Sequence, residues 1–87
     1  MEVAFDDLAL KDLQFWKESG NTAIQTKIQK LLFSIQESPY TGIGKPEALK
    51  YDLAGTWSRR INNEHRIIYS VHENKIQVHS LKGHYYN

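Results

Sequence analysis

Thr56-Trp57-Ser58-Arg59-Arg60-Ile61-Asn62 and, across the turn Asn62-Asn63-Glu64, Arg66-Ile67-Ile68-Tyr69-Ser70-Val71 alternate in character with a period of two. Successive side chains of a strand point to opposite faces. Trp57 and Ile61 therefore share one face, and Ser58, Arg60 and Asn62 the other. In the second run Ile67, Tyr69 and Val71 take the apolar side, opposite Arg66, Ile68 and Ser70. Paired as a hairpin, the two runs bring Arg60 and Arg66 together on the polar face. Arg59 falls in the apolar phase, which predicts a structural side chain that runs its stem along the core and snorkels its head to water.

Working outward, Glu73-Asn74 turns the chain into a last strand from Ile76 to about Leu81, with Ile76 and Val78 facing the core. Toward the N-terminus, Val3-Ala4-Phe5 reads as a short first strand. Asp6-Asp7 supplies an N-cap and a first-turn acid for a helix to about Glu18, with Leu8, Leu13 and Trp16 as its stripe. Ser19-Gly20-Asn21 breaks that helix and Thr22 can cap a second. In it Ile24, Ile28, Leu31, Leu32 and Ile35 recur at helical spacing until Ser38-Pro39 ends it. Phe5, Phe15, Trp16 and Phe33 read as core aromatics. The order β-α-α-β-β-β predicts an α+β fold: two N-terminal helices packed on one face of a small, mainly antiparallel sheet, with the opposite face open for a ligand.

Eighty-seven residues make one domain, 1–87, which buries only roughly 60% of its unfolded surface. Its site should be a shallow surface suited to a polymeric substrate. The absence of cysteine excludes a disulfide framework and a thiolate metal site, and makes the cytoplasm the natural setting. No apolar run approaches the roughly 20 residues that span a bilayer, and Met1-Glu2-Val3 lacks the basic start of a secretory signal. The net charge of +1 is unevenly divided: residues 1–44 carry −2 and residues 45–87 carry +3. A basic half predicts a local cationic face.

That half holds the candidate chemistry. Glu47 follows a rigid Gly44-Lys45-Pro46 step beside Lys50, where a carboxylate can serve as a general base. Gly42-Ile43-Gly44-Lys45 lacks the spacing and the following Ser or Thr of a nucleotide-binding loop. Arg60 and Arg66 can bind a phosphate bidentately and stabilise the extra charge of a five-coordinate phosphorus. His84 can donate a proton near neutrality, and Tyr85 and Tyr86 beside it offer rings on which a base can stack. Parity counted from Ile76 and Val78 turns His84 toward the core, so a bulge at Gly83 or a bend is expected to re-aim it. His65, His72 and His79 lie on separate strands, so no zinc site and no cofactor is expected.

Gly44-Lys45-Pro46-Glu47-Ala48-Leu49-Lys50, Leu53-Ala54-Gly55-Thr56-Trp57-Ser58-Arg59-Arg60-Ile61, Glu64-His65-Arg66 before Tyr69, and the terminal His84-Tyr85 resemble, in order and spacing, the YoeB toxins of the RelE/ParE superfamily. The likeness spans nearly the whole chain and implies a RelE-like fold. It further implies a ribosome-dependent, metal-independent messenger-RNA endonuclease, neutralised by a YefM-type antitoxin and paired as a homodimer. By position, Glu47 would be the general base, His84 the acid and Arg66 the stabiliser of the phosphorane. Arg60 and Lys50 would hold the phosphate and Tyr85 would orient the nucleotides. The resemblance also leaves two other readings on the same fold, a ParE-like gyrase poison and a non-catalytic module that binds RNA or a protein partner. Gly83 stands where the family often carries a larger residue, and Tyr86-Asn87 extend past the usual closing pair.

Overall fold

The computed structural model describes residues 1–83. Strand β1 (Glu2–Phe5) leads into helices α1 (Asp7–Ser19) and α2 (Thr22–Glu37), after which come β2 (Glu47–Ala48), a short 3-10 turn at Tyr51–Leu53, β3 (Thr56–Arg60), β4 (Arg66–His72) and β5 (Lys75–Ser80). The strands form one sheet in the order β1-β5-β4-β3-β2. Three of its four pairings are antiparallel, and β1 joins β5 in parallel. The two-residue β2 adds to the expected order. It carries Glu47 onto the sheet as an edge strand.

Both helices pack on one face. Ala9 and Trp16 of α1 and Ile24, Ile28, Leu31 and Ile35 of α2 join Ile61, Ile67, Tyr69, Ile76, Val78 and Leu81 in a single core. Each fully buried Leu or Ile there contributes about 1.5–3 kcal/mol. The α2 face is the expected one, with Leu32 only half-buried. The α1 face is not: Leu8 is exposed, and Asp12 is buried between Ala9 and Trp16. Asp12 Oδ2 accepts from the Leu81 backbone N–H at 2.9 Å, and Trp16 Nε1 donates to the Leu81 carbonyl at 3.0 Å. The helix thereby grips both backbone groups of one residue at the end of β5. Phe15 and Phe33, expected in the core, are 48% and 66% exposed. Phe15 instead packs edge-on against Trp16 and under the Lys82 ammonium, 3.7 Å from its ring centre.

Two caps differ from expectation. Asn21, not Thr22, caps α2, its Oδ1 accepting from the Ile24 N–H at 3.1 Å. Asp6 occupies the N-cap position of α1 without capping it, because its carboxylate is engaged elsewhere. The hairpin between β3 and β4 closes through Asn62, whose Oδ1 accepts from the N–H groups of Glu64 and His65, both at 2.8 Å.

Arg59 does not snorkel. It is fully buried, and its guanidinium makes five hydrogen bonds, to Tyr69 Oη, Ser34 Oγ and the carbonyls of Ile43, Ser38 and Thr41. Every acceptor is neutral, so the charge is solvated by backbone and hydroxyl dipoles from α2 and the loop after it. The loop wraps this head closely. Gly42 and Gly44 both have positive φ, and a methyl group at Gly44 would come within 2.6 Å of Leu31 Cδ2. The two glycines of Gly-Ile-Gly-Lys are therefore explained by close backbone approach.

Candidate active site

The face of the sheet away from the helices gathers three of the residues expected to do chemistry, Glu47, Arg60 and Arg66. Side chains opposite one another in an antiparallel ladder share a face. Glu47 pairs with Ser58, Ser58 with Ile68, and Arg60 with Arg66. One carboxylate and two guanidinium-bearing residues thus stand on the same side. Glu47 is the diagonal neighbour of Arg60, at about 7–8 Å by ladder geometry. Glu47 and Arg60 are exposed and Arg66 is half-buried. Between them Ser58 and Ile68 are buried, so the face is a floor of small and apolar groups with charged groups around it.

Glu47 owes its position to Arg59. The guanidinium holds the carbonyls of residues 38, 41 and 43, and the Gly44 carbonyl then accepts from the Arg60 N–H at 2.7 Å. The chain is fixed on both sides of Lys45, and Pro46 leads directly into β2. Tyr69 braces the same loop by donating to the Pro39 carbonyl at 2.6 Å. Burial pushes the Tyr69 hydroxyl above its ordinary pKa, with Arg59 pulling the other way.

Lys50 is exposed, in extended backbone just before the 3-10 turn. Lys27, Lys45 and Arg60 line a cavity of about 320 Å³ with Asn62 and Asn63. This cationic hollow adjoins the arginine pair at the edge of the sheet. His84 and Tyr85 lie outside the described residues. Ahead of Gly83 the ladder shifts register: Ile68 pairs with Ser80 and Tyr69 with Val78, leaving His79 as the extra residue. Beyond it Ser80 pairs with Ile68 while its Oγ donates to Asp12 Oδ2 of α1 at 3.3 Å, and Leu81 enters the core.

One cluster has no counterpart among the sequence expectations. His79 Nδ1 lies 2.6 Å from Asp6 Oδ2, and Gln77 Nε2 donates to Asp6 Oδ1 at 2.6 Å. Ser70 Oγ lies 2.8 Å from His79 Nε2 and 3.0 Å from His72 Nε2. The hydrogen bond from His79 is the main cause that holds the Asp6 carboxyl below its ordinary value. Histidines on adjacent strands do converge, on a serine. Among the described residues no group of three or more His, Cys, Asp or Glu is placed to hold a metal ion. The signal for this cluster is Asp6, whose place before a helix suggests a cap instead.

The amino-acid sequence matches, over residues 5–85, the model of a family described as YoeB-like toxins of bacterial type II toxin–antitoxin systems. It is 39% identical over 85 residues to Toxin YoeB of Synechocystis, covering 98% of each chain. A YoeB/ParE toxin from Agrobacterium tumefaciens superposes with a TM-score of 0.91 at 36% identity, covering 98% of this chain and 100% of that one. YoeB from Staphylococcus aureus, solved as a dimer and as a heterotetrameric complex with YefM, superposes at 0.88 with 41% identity and 98% coverage of each chain.

Proposed function

This chain belongs to the YoeB-like toxins of bacterial type II toxin–antitoxin systems, and from that premise we propose that it is a ribosome-dependent endonuclease of messenger RNA. The observation that carries the reading is the register that sets Glu47, Arg60 and Arg66 on one face of the sheet. A gyrase-directed or purely binding protein has no need of a base beside two phosphate-binding guanidinium groups.

In the proposed reaction Glu47 takes the proton of a ribose 2′-hydroxyl. The 2′-oxygen bonds to the neighbouring phosphorus, and the negative charge grows on its equatorial oxygens. Arg66 stabilises that charge while Arg60 and Lys50 hold the phosphate. The bond to the 5′-oxygen breaks as His84 supplies a proton to it, and Tyr85 orients the flanking nucleotides. The ends are a 2′,3′-cyclic phosphate, or the 3′-phosphate it opens to, and a 5′-hydroxyl. No residue of this scheme requires a metal. Lys27 and Lys45 extend the cationic surface along which an RNA backbone can run.

The partners follow from the family. The S. aureus relative is solved as a dimer and in complex with YefM. By likeness this chain forms a homodimer and is neutralised by a YefM-type antitoxin, through a segment of acidic and apolar residues lying across the basic face. It acts where ribosomes are, in the cytoplasm. Among the described residues no helix is long and apolar enough to cross a membrane.

The test is to incubate purified protein with one messenger RNA, with and without programmed ribosomes, and to identify the new ends. Cuts only with ribosomes, leaving 5′-hydroxyl and cyclic or 3′-phosphate ends, are expected. No cuts in either sample, with growth arrest retained by Glu47→Ala and His84→Ala proteins, would move the assignment to the gyrase-directed reading.

A further inference from the structure

We propose that the cavity between the Asp6–His79 pair and Ile68 is a nucleobase subsite, selecting a base with an exocyclic amino group beside the scissile phosphate. The proposal rests on the RNA-cleavage reading and adds a specificity determinant to it.

The hydrogen-bond polarity at Asp6 is fixed by its chemistry. A carboxylate only accepts, so His79 Nδ1 carries the proton shared with Asp6. Ser70 Oγ, which can both donate and accept, bridges His79 Nε2 and His72 Nε2. The network is satisfied inward and leaves one group underused. Each Asp6 oxygen has a single partner, from Gln77 or His79, and keeps a free lone pair. The Asp6 side chain is 41% exposed and that of His79 is 32% exposed. The bulge at His79 aims its ring at this point.

The cavity beside the pair measures about 380 Å³ and is walled by Leu8, Leu53 and Ile68. Apolar walls with a few convergent polar groups are the ordinary makings of a small-ligand pocket, and a planar base fits that description. A phosphate does not, because Asp6 repels it. Position adds the link to the reaction. Ile68 stands two residues from Arg66 on the same face of β4, about 6.6 Å along the strand. An RNA chain whose phosphate sits on the arginine pair brings a neighbouring base over the cavity. A carboxylate with free lone pairs accepts from the amino groups of guanine, adenine or cytosine. It disfavours uracil, whose one donor N–H is flanked by two carbonyl oxygens.

The experiment maps cuts in a library of messages with all four bases at the positions flanking the cut, in the ribosome-containing reaction. The parent protein should cut about 10-fold less at sites with uracil in one flanking position. Asp6→Asn, whose amide can also donate, should flatten that preference while total cleavage persists. A uniform change at all sites, or an unaltered preference, overturns the subsite and leaves the nuclease reading standing. A second measurement avoids cleavage altogether: 2′-O-methyl dinucleotides are titrated into the parent protein while its imidazole resonances are followed by NMR. Perturbation of His79 with about 10-fold tighter binding of amino-bearing dinucleotides than of a uridine dinucleotide is expected, and stands even if no RNA is cut. Equal binding, or no response at His79, refutes the subsite. Should Asp6→Asn weaken antitoxin binding while dinucleotides fail to perturb His79, the cavity is a protein-docking site and the proposal falls.

Discussion

Arg60 and Arg66 stand directly opposite each other across the β3–β4 ladder. Like charges in that relationship work against the sheet by roughly 0.2–1 kcal/mol. Arg60→Ala is therefore expected to leave the melting temperature unchanged or slightly raised while RNA cleavage falls by about 100-fold. Thermal denaturation and cleavage measured on the same preparation check it. A fall of several degrees would show that Arg60 serves the fold instead.

Glu47 is exposed on a two-residue edge strand, so its side chain does little for packing. Glu47→Gln keeps its shape and removes its basicity. Cleavage should drop about 100- to 10,000-fold, with the urea unfolding midpoint within error of the parent. Retained cleavage would remove Glu47 from the role of base.

Arg59 offers the opposite outcome. Lysine at this position has three donors on a flexible stem and cannot reproduce a planar fork bonded to five acceptors. Carbonyls of residues 38, 41 and 43 lose partners when it is replaced. Arg59→Lys is expected to cost about 3 kcal/mol, lowering the melting temperature by more than about 10 °C. Hydrogen exchange should show the loss of protection concentrated between residues 38 and 44.

Asp6 ties β1 to β5 through His79 and Gln77, and its carboxyl titrates below its ordinary value of 3.8 in the folded protein. A carboxyl shifted this way contributes stability that is present above 3.8 and lost as pH falls through the folded value. With the side chain 41% exposed, solvent screening limits the contribution to less than about 1 kcal/mol. Asp6→Asn should therefore unfold more easily than the parent at pH 6, and the gap should narrow as the pH falls below 3.8. Chemical denaturation at the two pH values measures it.

The α2 stripe and the Arg60–Arg66 meeting are legible in the sequence because each comes from one periodicity within a contiguous segment. Arg59 is legible only in phase. Its burial depends on acceptors supplied by Ser34 and by a loop up to 21 residues away, which no local pattern announces. Phe15 and Phe33 are expected inside and lie outside because hydrophobicity sets only a preference for the core, whereas helix rotation decides which side chains enter it. On α1 that place goes to Asp12, a charged residue made tolerable by the Leu81 N–H. The one-residue shift at His79 inverts the parity of Ser80 and Leu81, and a period-two count carries no warning of it. Asp6 reads as a cap because its true partners, 71 and 73 residues away, come from the far end of the chain.

The parallel pairing of β1 with β5 has a consequence for how the protein comes into being. Glu2 aligns with Lys75 and Phe5 with Val78, so a strand made early waits for one made 73 residues later. At about 5–20 residues per second the 73 residues between Glu2 and Lys75 take roughly 4–15 s to translate. During that interval the sheet has an unfilled border and the helices lack part of their floor. A growing chain therefore carries the arginine pair before it has the finished surface that presents it.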